Sequence, residues 1–208
     1  FNAARRQMQK VGRLLGPDEF KAAGKKDPNL FPPIVVTRWG ATLERPEASE
    51  GFESIETVPF ERDLGPGYTH KALILDYDGT LRKTASGRIY PTIPADVRLL
   101  PGRKAVLEAW QSAGYRLLGI SNQSGVSSGR LTAKAAQACL DRTAELLGLS
   151  IDGVFCPHPA GTPRCFCRKP MPGFGAHFTE TYKLDPARCL FVGDLPSDEA
   201  FAQACGFR

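Results

Sequence analysis

Two aspartates two residues apart, Asp76 and Asp78, follow directly on the apolar run Ala72-Leu73-Ile74-Leu75 and precede Gly79-Thr80-Leu81. Carboxylates at the end of a buried run are costly unless they bind a cation or handle protons, so their position points to chemistry. Three more apolar runs end in a similar way. Arg116 to Ile120 leads into Ser121-Asn122-Gln123-Ser124-Gly125, a hydroxyl and amides beside a glycine that lets the backbone approach an anion. Val154-Phe155 is followed, after a loop, by Arg168-Lys169-Pro170, and Cys189-Leu190-Phe191-Val192 ends in Gly193-Asp194-Leu195-Pro196-Ser197-Asp198. Acids, hydroxyls, amides and cations brought from four strand ends are what phosphate transfer needs. One such Asp could be no more than the cap of the next helix; four motifs in this order exceed that explanation.

A second constellation lies between the last two runs. Of the six cysteines, Cys156, Cys165 and Cys167 cluster beside His158, while Cys139, Cys189 and Cys205 stand singly in apolar surroundings. The scattered three read as small buried hydrophobes. The clustered three and the imidazole form a Cys₃His set, closed in the manner of a structural zinc site. His70 and His177 are expected to serve packing or the surface.

The elements that must carry these residues are legible in the hydrophobic pattern. Strands are predicted over 72–75, 116–120, 153–156 and 189–193, and amphipathic helices over 102–113, 132–147, 173–183 and 197–205. Apolar strands separated by such helices make an α/β fold, a parallel sheet covered on both faces, with its chemistry beyond the carboxyl ends of the strands. Upstream, Met8, Val11, Leu14 and Leu15 predict a helix from Asn2 to Leu15, stopped by Gly16-Pro17. Asp18 is expected to cap a second short helix. The prolines at 28, 32, 33 and 46 mark irregular chain around one more apolar stretch, Ser54 to Phe60 alternates as a short strand would, and Asp63 to Gly67 reads as a linker.

Composition narrows the class. With 208 residues, 42% hydrophobic and 24% charged, the chain is globular and excludes collagen, coiled coil and disorder. No run approaches the roughly 20 apolar residues of a membrane helix, and no signal peptide is visible, so a cytoplasmic protein without a membrane partner is expected. The net charge of +5 resides in residues 1–40, where eight basic side chains oppose Asp18, Glu19 and Asp27. A solvated helix face explains that excess without invoking nucleic acid. Because the chain opens on Phe1 and stops where a helix should end, it reads as a fragment of a longer protein.

Residues 70–208 resemble the haloacid dehalogenase (HAD) superfamily of phosphohydrolases, whose four motifs match those above in order. The resemblance implies that Asp76 is a nucleophile forming an aspartyl-phosphate and Asp78 the general acid/base. Lys169 would neutralise charge, and Asp76, Asp78 (through its carbonyl) and Asp194, supported by Asp198, would hold Mg²⁺. Thr80, Ser121, Asn122 and Arg168 are the expected phosphate or substrate contacts. Asp76 and Asp194 should then lie within about 8 Å, since Mg²⁺ ligands lie about 2.1 Å from the ion. The stretch after motif one, with Lys83, Arg88 and Tyr90, would be a flap over the site. Cys156-x-His158, a spacer and Cys165-x-Cys167-Arg168-Lys169-Pro170 are similar to the zinc loop of histidinol-phosphate and heptose-bisphosphate phosphatases, which implies structural Zn²⁺ and a small phosphorylated metabolite. Leu195 departs from that pattern, in which a basic residue commonly follows the motif-four Asp.

A further likeness favours a different ester. Thr84 to Thr92 is similar to the stretch after motif one in the 3'-phosphatase domain of polynucleotide kinase/phosphatases, and Leu43 to Phe60 to the end of their P-loop kinase domain. On this basis the chain divides into a kinase-like remnant (1–62), a linker (63–70) and a C-terminally truncated HAD domain (71–208). No Gly-x-x-x-x-Gly-Lys-Ser/Thr occurs, so the chain holds no phosphate loop for a kinase. A small-molecule phosphate ester leads, a polynucleotide 3'-phosphate is the alternative, and a non-catalytic HAD-like binding module is remote because Asp76, Asp78 and Lys169 are all present.

Overall fold

A computed structural model describes the whole chain except Pro59, Glu61, Asp63 and Pro163. In chain order the elements are α1 (Asn2–Val11), α2 (Phe20–Lys26), α3 (Pro33–Thr42), β1 (Ala72–Leu75), β2 (Arg82–Thr84), β3 (Val97–Leu99), α4 (Arg103–Ser112), β4 (Arg116–Asn122), α5 (Ala133–Leu147), β5 (Asp152–Cys156), α6 (Gly173–Tyr182), β6 (Leu190–Val192) and α7 (Pro196–Cys205). Four strands form one parallel sheet in the order β5-β4-β1-β6, with Ile74 opposite Leu118 on one side and Phe191 on the other. The fold is the α/β arrangement that the sequence predicts. No helix among the described residues is long and apolar enough to cross a membrane.

Alternation along the central strands divides the core. Ala72, Ile74, Leu118 and Ile120 face α6 and α7, packing with Phe178, Phe201 and Cys205. Leu73, Leu75 and Leu117 face the other way, against Leu107 of α4 and Leu140 and Leu147 of α5. Strands buried on both faces must be apolar at every position, which explains why these runs show no polar alternation. With both faces filled, only the strand ends are free to carry polar chemistry.

Several expectations about the first seventy residues need correction. α1 ends at Val11 rather than Leu15, because Gly12 takes a left-handed conformation (φ 76°) and turns the chain. The residue capping α2 is Glu19, not Asp18, and its carboxylate serves Arg13 and the Gly16 amide instead. Chain expected to be irregular holds α3, for which Pro33 supplies a first-turn start rather than a break. The strand predicted over Ser54 to Phe60 is absent from the described residues of that stretch; Ile55, Val58 and Phe60 are exposed and have no neighbouring strand. Pro59 of that stretch and Asp63 of the predicted linker lie outside the described residues. The stretch after motif one forms an antiparallel pair, β2 with β3, that the pattern does not reveal.

Residues 1–30 are docked on the sheet domain. Ala4, Leu15, Phe20 and Leu30 share a core with Phe166 and Ala176, and Phe20 meets Phe166 edge to face at 6.3 Å. Beside this core the half-buried Glu180 of α6 receives Arg5 and the Tyr68 hydroxyl (2.7 Å). Burial would raise the Glu180 carboxyl, but Tyr68 and Arg5 together hold it below its ordinary range. Phe20→Ala is expected to cost about 3 kcal/mol and to lower the unfolding midpoint of the sheet itself in urea. If the sheet transition kept its wild-type midpoint, the first thirty residues would be an independent unit.

Candidate active site

The end of β1 sorts its side chains by direction. Asp76 and Asp78 join the polar cluster, whereas Tyr77 between them is buried in the α4/α5 core. Its ring lies across two neighbouring strands at glycines: a Cβ on Gly119 would sit 2.5 Å from Tyr77 Cε2, and one on Gly153 2.2 Å from its hydroxyl. Gly79, next in line, has φ 93°, and a Cβ there would meet Asp194 Oδ2 at 2.2 Å. Its bare backbone is what lets motif four close on motif one.

Lys169 joins the carboxylates. Its Nζ lies 2.5 Å from Asp76 Oδ1 and 2.6 Å from Asp198 Oδ1, with all three side chains largely withdrawn from water. Carboxylate oxygens of Asp76, Asp194 and Asp198 lie within 4.8 Å of one another, well inside the expected 8 Å. Burial pushes the Asp76 carboxyl up to about 6, against the opposing pull of Lys169. One ammonium does not offset this much buried negative charge, so a hard divalent cation fits the oxygen set.

Motif two arrives with its roles divided. Gln123 Nε2 donates to both Asp78 Oδ2 (3.0 Å) and Ser121 Oγ (2.8 Å), tying the hydroxyl to the second aspartate. Asn122 has another use than the predicted phosphate contact. Its Oδ1 accepts from the Lys169 amide (3.0 Å) and its Nδ2 donates to the Lys169 carbonyl (3.1 Å), so both polar atoms hold the lysine's backbone. Thr80 has its carbonyl engaged by Arg103 Nε (2.8 Å), while its hydroxyl has no hydrogen-bond partner among the described residues, and the residue lines an apolar cavity of about 250 Å³ with Leu107 and Trp110. Arg168 donates to the His158 carbonyl (3.2 Å) and borders a cavity of about 210 Å³ with Arg164 and Lys169. Asp198, the expected supporting ligand, also accepts from the Leu195 amide (3.1 Å) at the start of α7.

One member of the cluster escapes sequence reasoning. Arg82, 1% exposed, donates from Nε to Asp78 Oδ1 at 2.7 Å and from its NH1 nitrogen to the Cys139 carbonyl and Thr143 Oγ1. No signal in the sequence marks it, because β2 is not legible there; only the fold shows its inward position, with Arg82 and Thr84 buried and Lys83 exposed. A charged residue there demands a partner.

The cysteine loop closes as predicted. Ligand atoms of Cys156, His158, Cys165 and Cys167 lie within 4.8 Å of one another, with sulfur separations of 3.1, 3.3 and 3.7 Å. His158 Nδ1 lies 3.2 Å from the Cys167 sulfur and 3.5 Å from that of Cys156. A tetrahedron with metal–sulfur bonds of 2.3 Å has edges of about 3.8 Å, so the set fits zinc. Contact with Cys165 pushes the Cys156 thiol up to about 12, and the Cys167 thiol is also raised by its sulfur neighbours. Sulfurs this crowded cannot all ionise without a cation. Cys167 directly precedes Arg168 and Lys169, which makes the loop the anchor of the third motif.

Comparison with known proteins shows the family of the chain. Residues 88–206 match the haloacid dehalogenase-like hydrolase family. The chain is 33% identical over 135 residues to the D-glycero-beta-D-manno-heptose-1,7-bisphosphate 7-phosphatase of Helicobacter pylori, covering 62% of this chain and 75% of that protein. With the corresponding Haemophilus ducreyi protein it is 31% identical over 148 residues, covering 66% and 80%. The crystal structure of D,D-heptose 1,7-bisphosphate phosphatase from B. bronchiseptica, complexed with magnesium and phosphate, aligns with a TM-score of 0.56 at 30% identity, covering 64% of this chain and 76% of that one. A HAD-like phosphatase from Mesorhizobium loti aligns at 0.59 and 29% identity, covering 72% and 74%. The chain belongs to the haloacid dehalogenase-like hydrolases, among the phosphatases of that family.

Proposed function

We propose that the chain is a Mg²⁺-dependent phosphomonoesterase that works through Asp76 and acts on a small sugar bisphosphate. The observation that carries the reading is the Asp76 carboxylate, buried at the end of a central strand with Lys169 at 2.5 Å and two further carboxylates beside it. Asp76 attacks phosphorus, and the bond to the ester oxygen breaks as the Asp76–phosphate bond forms. Asp78 gives its proton to the departing oxygen, then takes one from the water that hydrolyses the aspartyl-phosphate. Lys169 and Ser121 stabilise the phosphoryl oxygens. Asp76, the Asp78 carbonyl and Asp194, with Asp198 in support, would hold Mg²⁺, which when bound supplies the charge that lets a carboxylate approach a phosphate dianion. Zn²⁺ on Cys156, His158, Cys165 and Cys167 would have a structural role, holding the loop that delivers Lys169.

The substrate assignment draws on the heptose-bisphosphate phosphatases among the relatives and on the small cationic cavity bordered by Arg164, Arg168 and Lys169, which suits a second phosphate. A polynucleotide 3'-phosphate is the second reading. It is favoured by a cavity of about 450 Å³ lined by Arg88, Ile89, Tyr90, Thr92 and Arg130, with Ile89 91% exposed, a mixture of cations and apolar surface that suits a nucleic-acid strand. We divide the chain as the resemblance implies, with 1–62 an appendage of kinase-like origin, 63–70 a linker and 71–208 the phosphatase domain.

Asp76→Asn is expected to abolish turnover of every phosphomonoester while leaving the fold intact by circular dichroism; measurable turnover by this variant would refute the mechanism. In a panel with Mg²⁺ that contains heptose bisphosphate, histidinol phosphate and a 3'-phosphorylated oligonucleotide, the sugar bisphosphate should have the highest kcat/KM. A preference of more than about tenfold for the oligonucleotide, 1.4 kcal/mol in transition-state binding, would reverse the assignment. Elemental analysis should find one zinc per chain. Cys167→Ser should lose the zinc and most of the activity, because Lys169 loses its anchor, while the sheet's circular dichroism persists.

A further inference from the structure

Asp78 has two oxygens, and an acid/base must aim one of them at the ester oxygen. Left alone, a carboxylate turns freely about its terminal bond, so some other group has to fix its plane. The guanidinium of Arg82 lies alongside it, with Nε 2.7 Å from Oδ1 and the NH2 nitrogen 3.4 Å from Oδ2, and Gln123 Nε2 reaches Oδ2 at 3.0 Å. A carboxyl group has about four lone-pair sites, so these three contacts leave one for the proton that Asp78 gives to the ester oxygen and takes back from water.

The guanidinium is itself held in place. Its NH1 nitrogen donates to the Cys139 carbonyl (2.6 Å) and Thr143 Oγ1 (3.0 Å) of α5, and its central carbon lies 5.0 Å from the centre of the Tyr77 ring. Three acceptors in fixed directions suit a planar fork of donors and not the single ammonium of a lysine. Exposure separates the two partners: the Asp78 side chain is 19% exposed and open to the cluster, whereas that of Arg82 is 1% exposed. Arg82 therefore approaches Asp78 from the core side and does not face the substrate.

We infer that Arg82 is the positioning residue for Asp78, coupling the acid/base carboxylate to helix α5. The inference rests on the proposed role of Asp78. It implies that loss of Arg82 harms only the steps that Asp78 serves, departure of a poor leaving group and hydrolysis of the aspartyl-phosphate, and spares attack by Asp76.

The test compares glycerol 2-phosphate, whose leaving group needs a proton, with p-nitrophenyl phosphate, whose leaving group does not. Arg82→Met should lower kcat on glycerol 2-phosphate by roughly 10²-fold with little change in KM. On p-nitrophenyl phosphate it should release a burst of about one equivalent of nitrophenolate before a slow steady state, as expected when a covalent intermediate accumulates. In the double variant Asp78→Asn/Arg82→Met, activity should equal that of Asp78→Asn alone, since Arg82 acts through Asp78. A folded Arg82→Met enzyme that keeps wild-type kcat on glycerol 2-phosphate, loses activity equally on both esters without a burst, or compounds the Asp78→Asn defect would overturn the inference. Should Arg82→Met fail to fold, Thr143→Val keeps both charges and removes one support of the guanidinium. It should slow glycerol 2-phosphate about fivefold, the size of one neutral hydrogen bond, and leave the single-turnover rate of nitrophenolate release unchanged; a single-turnover rate that falls as much as glycerol 2-phosphate turnover counts against the inference. If Asp78→Asn itself retains full turnover of glycerol 2-phosphate, the proposed role of Asp78 fails instead.

Discussion

Lys169 Nζ stands between two buried carboxylates, 2.5 Å from Asp76 and 2.6 Å from Asp198, and the parts of the molecule that surround this contact can be understood as means of holding it. An ammonium on a four-carbon stem has many rotamers, and its side chain alone cannot set its place. Its peptide is gripped by both polar atoms of Asn122, and its loop is drawn in by three cysteines and a histidine. The acidic side is fixed with comparable care. Asp76 is seated by its strand, and Asp198 by the Leu195 amide at the first turn of α7. A buried ion pair is a poor source of stability, since desolvation offsets the attraction. What it gives here is placement, which is what chemistry at phosphorus requires.

The legible and illegible parts of the chain separate along physical lines. Strands buried on both faces must be apolar throughout, so Ala72-Leu73-Ile74-Leu75 and its counterparts stand out, and the motifs follow at their ends. Ligand chemistry is equally plain, because few functions other than metal binding gather Cys156, His158, Cys165 and Cys167. Residues whose partners are distant in sequence are not legible in this way. Arg82 meets Cys139 and Thr143 across some sixty positions, and Asn122 meets Lys169 across forty-seven, so no local pattern betrays either. Upstream of residue 70 the rules of local structure mislead for a related reason. Pro33 can end one element or begin another, and only the surrounding chain decides which.

The N-terminal segment shows how a docked appendage differs from a covered one. As far as Leu30 its apolar side chains enter a shared core with Phe166 and Ala176, the first of which sits inside the cysteine loop. From α3 onward the pattern reverses, with Val35, Val36, Trp39, Leu43 and Phe52 all exposed. The first thirty residues therefore brace the loop that carries Lys169, and the next thirty contribute little to the core.

Tyr77 illustrates how sequence freedom narrows around the cluster. Its ring occupies the space where side chains at 119 and 153 would stand, on two strands that arrive from different parts of the chain. A smaller residue at 77 would leave a void, and any side chain at either glycine would collide with the ring. The three positions can change only in concert, and each intermediate along the way carries either a cavity or a clash. Because Tyr77 separates Asp76 from Asp78, drift at three core sites is tied to the spacing of two carboxylates, and the lineage of this chain should be least able to wander where no reacting group is touched.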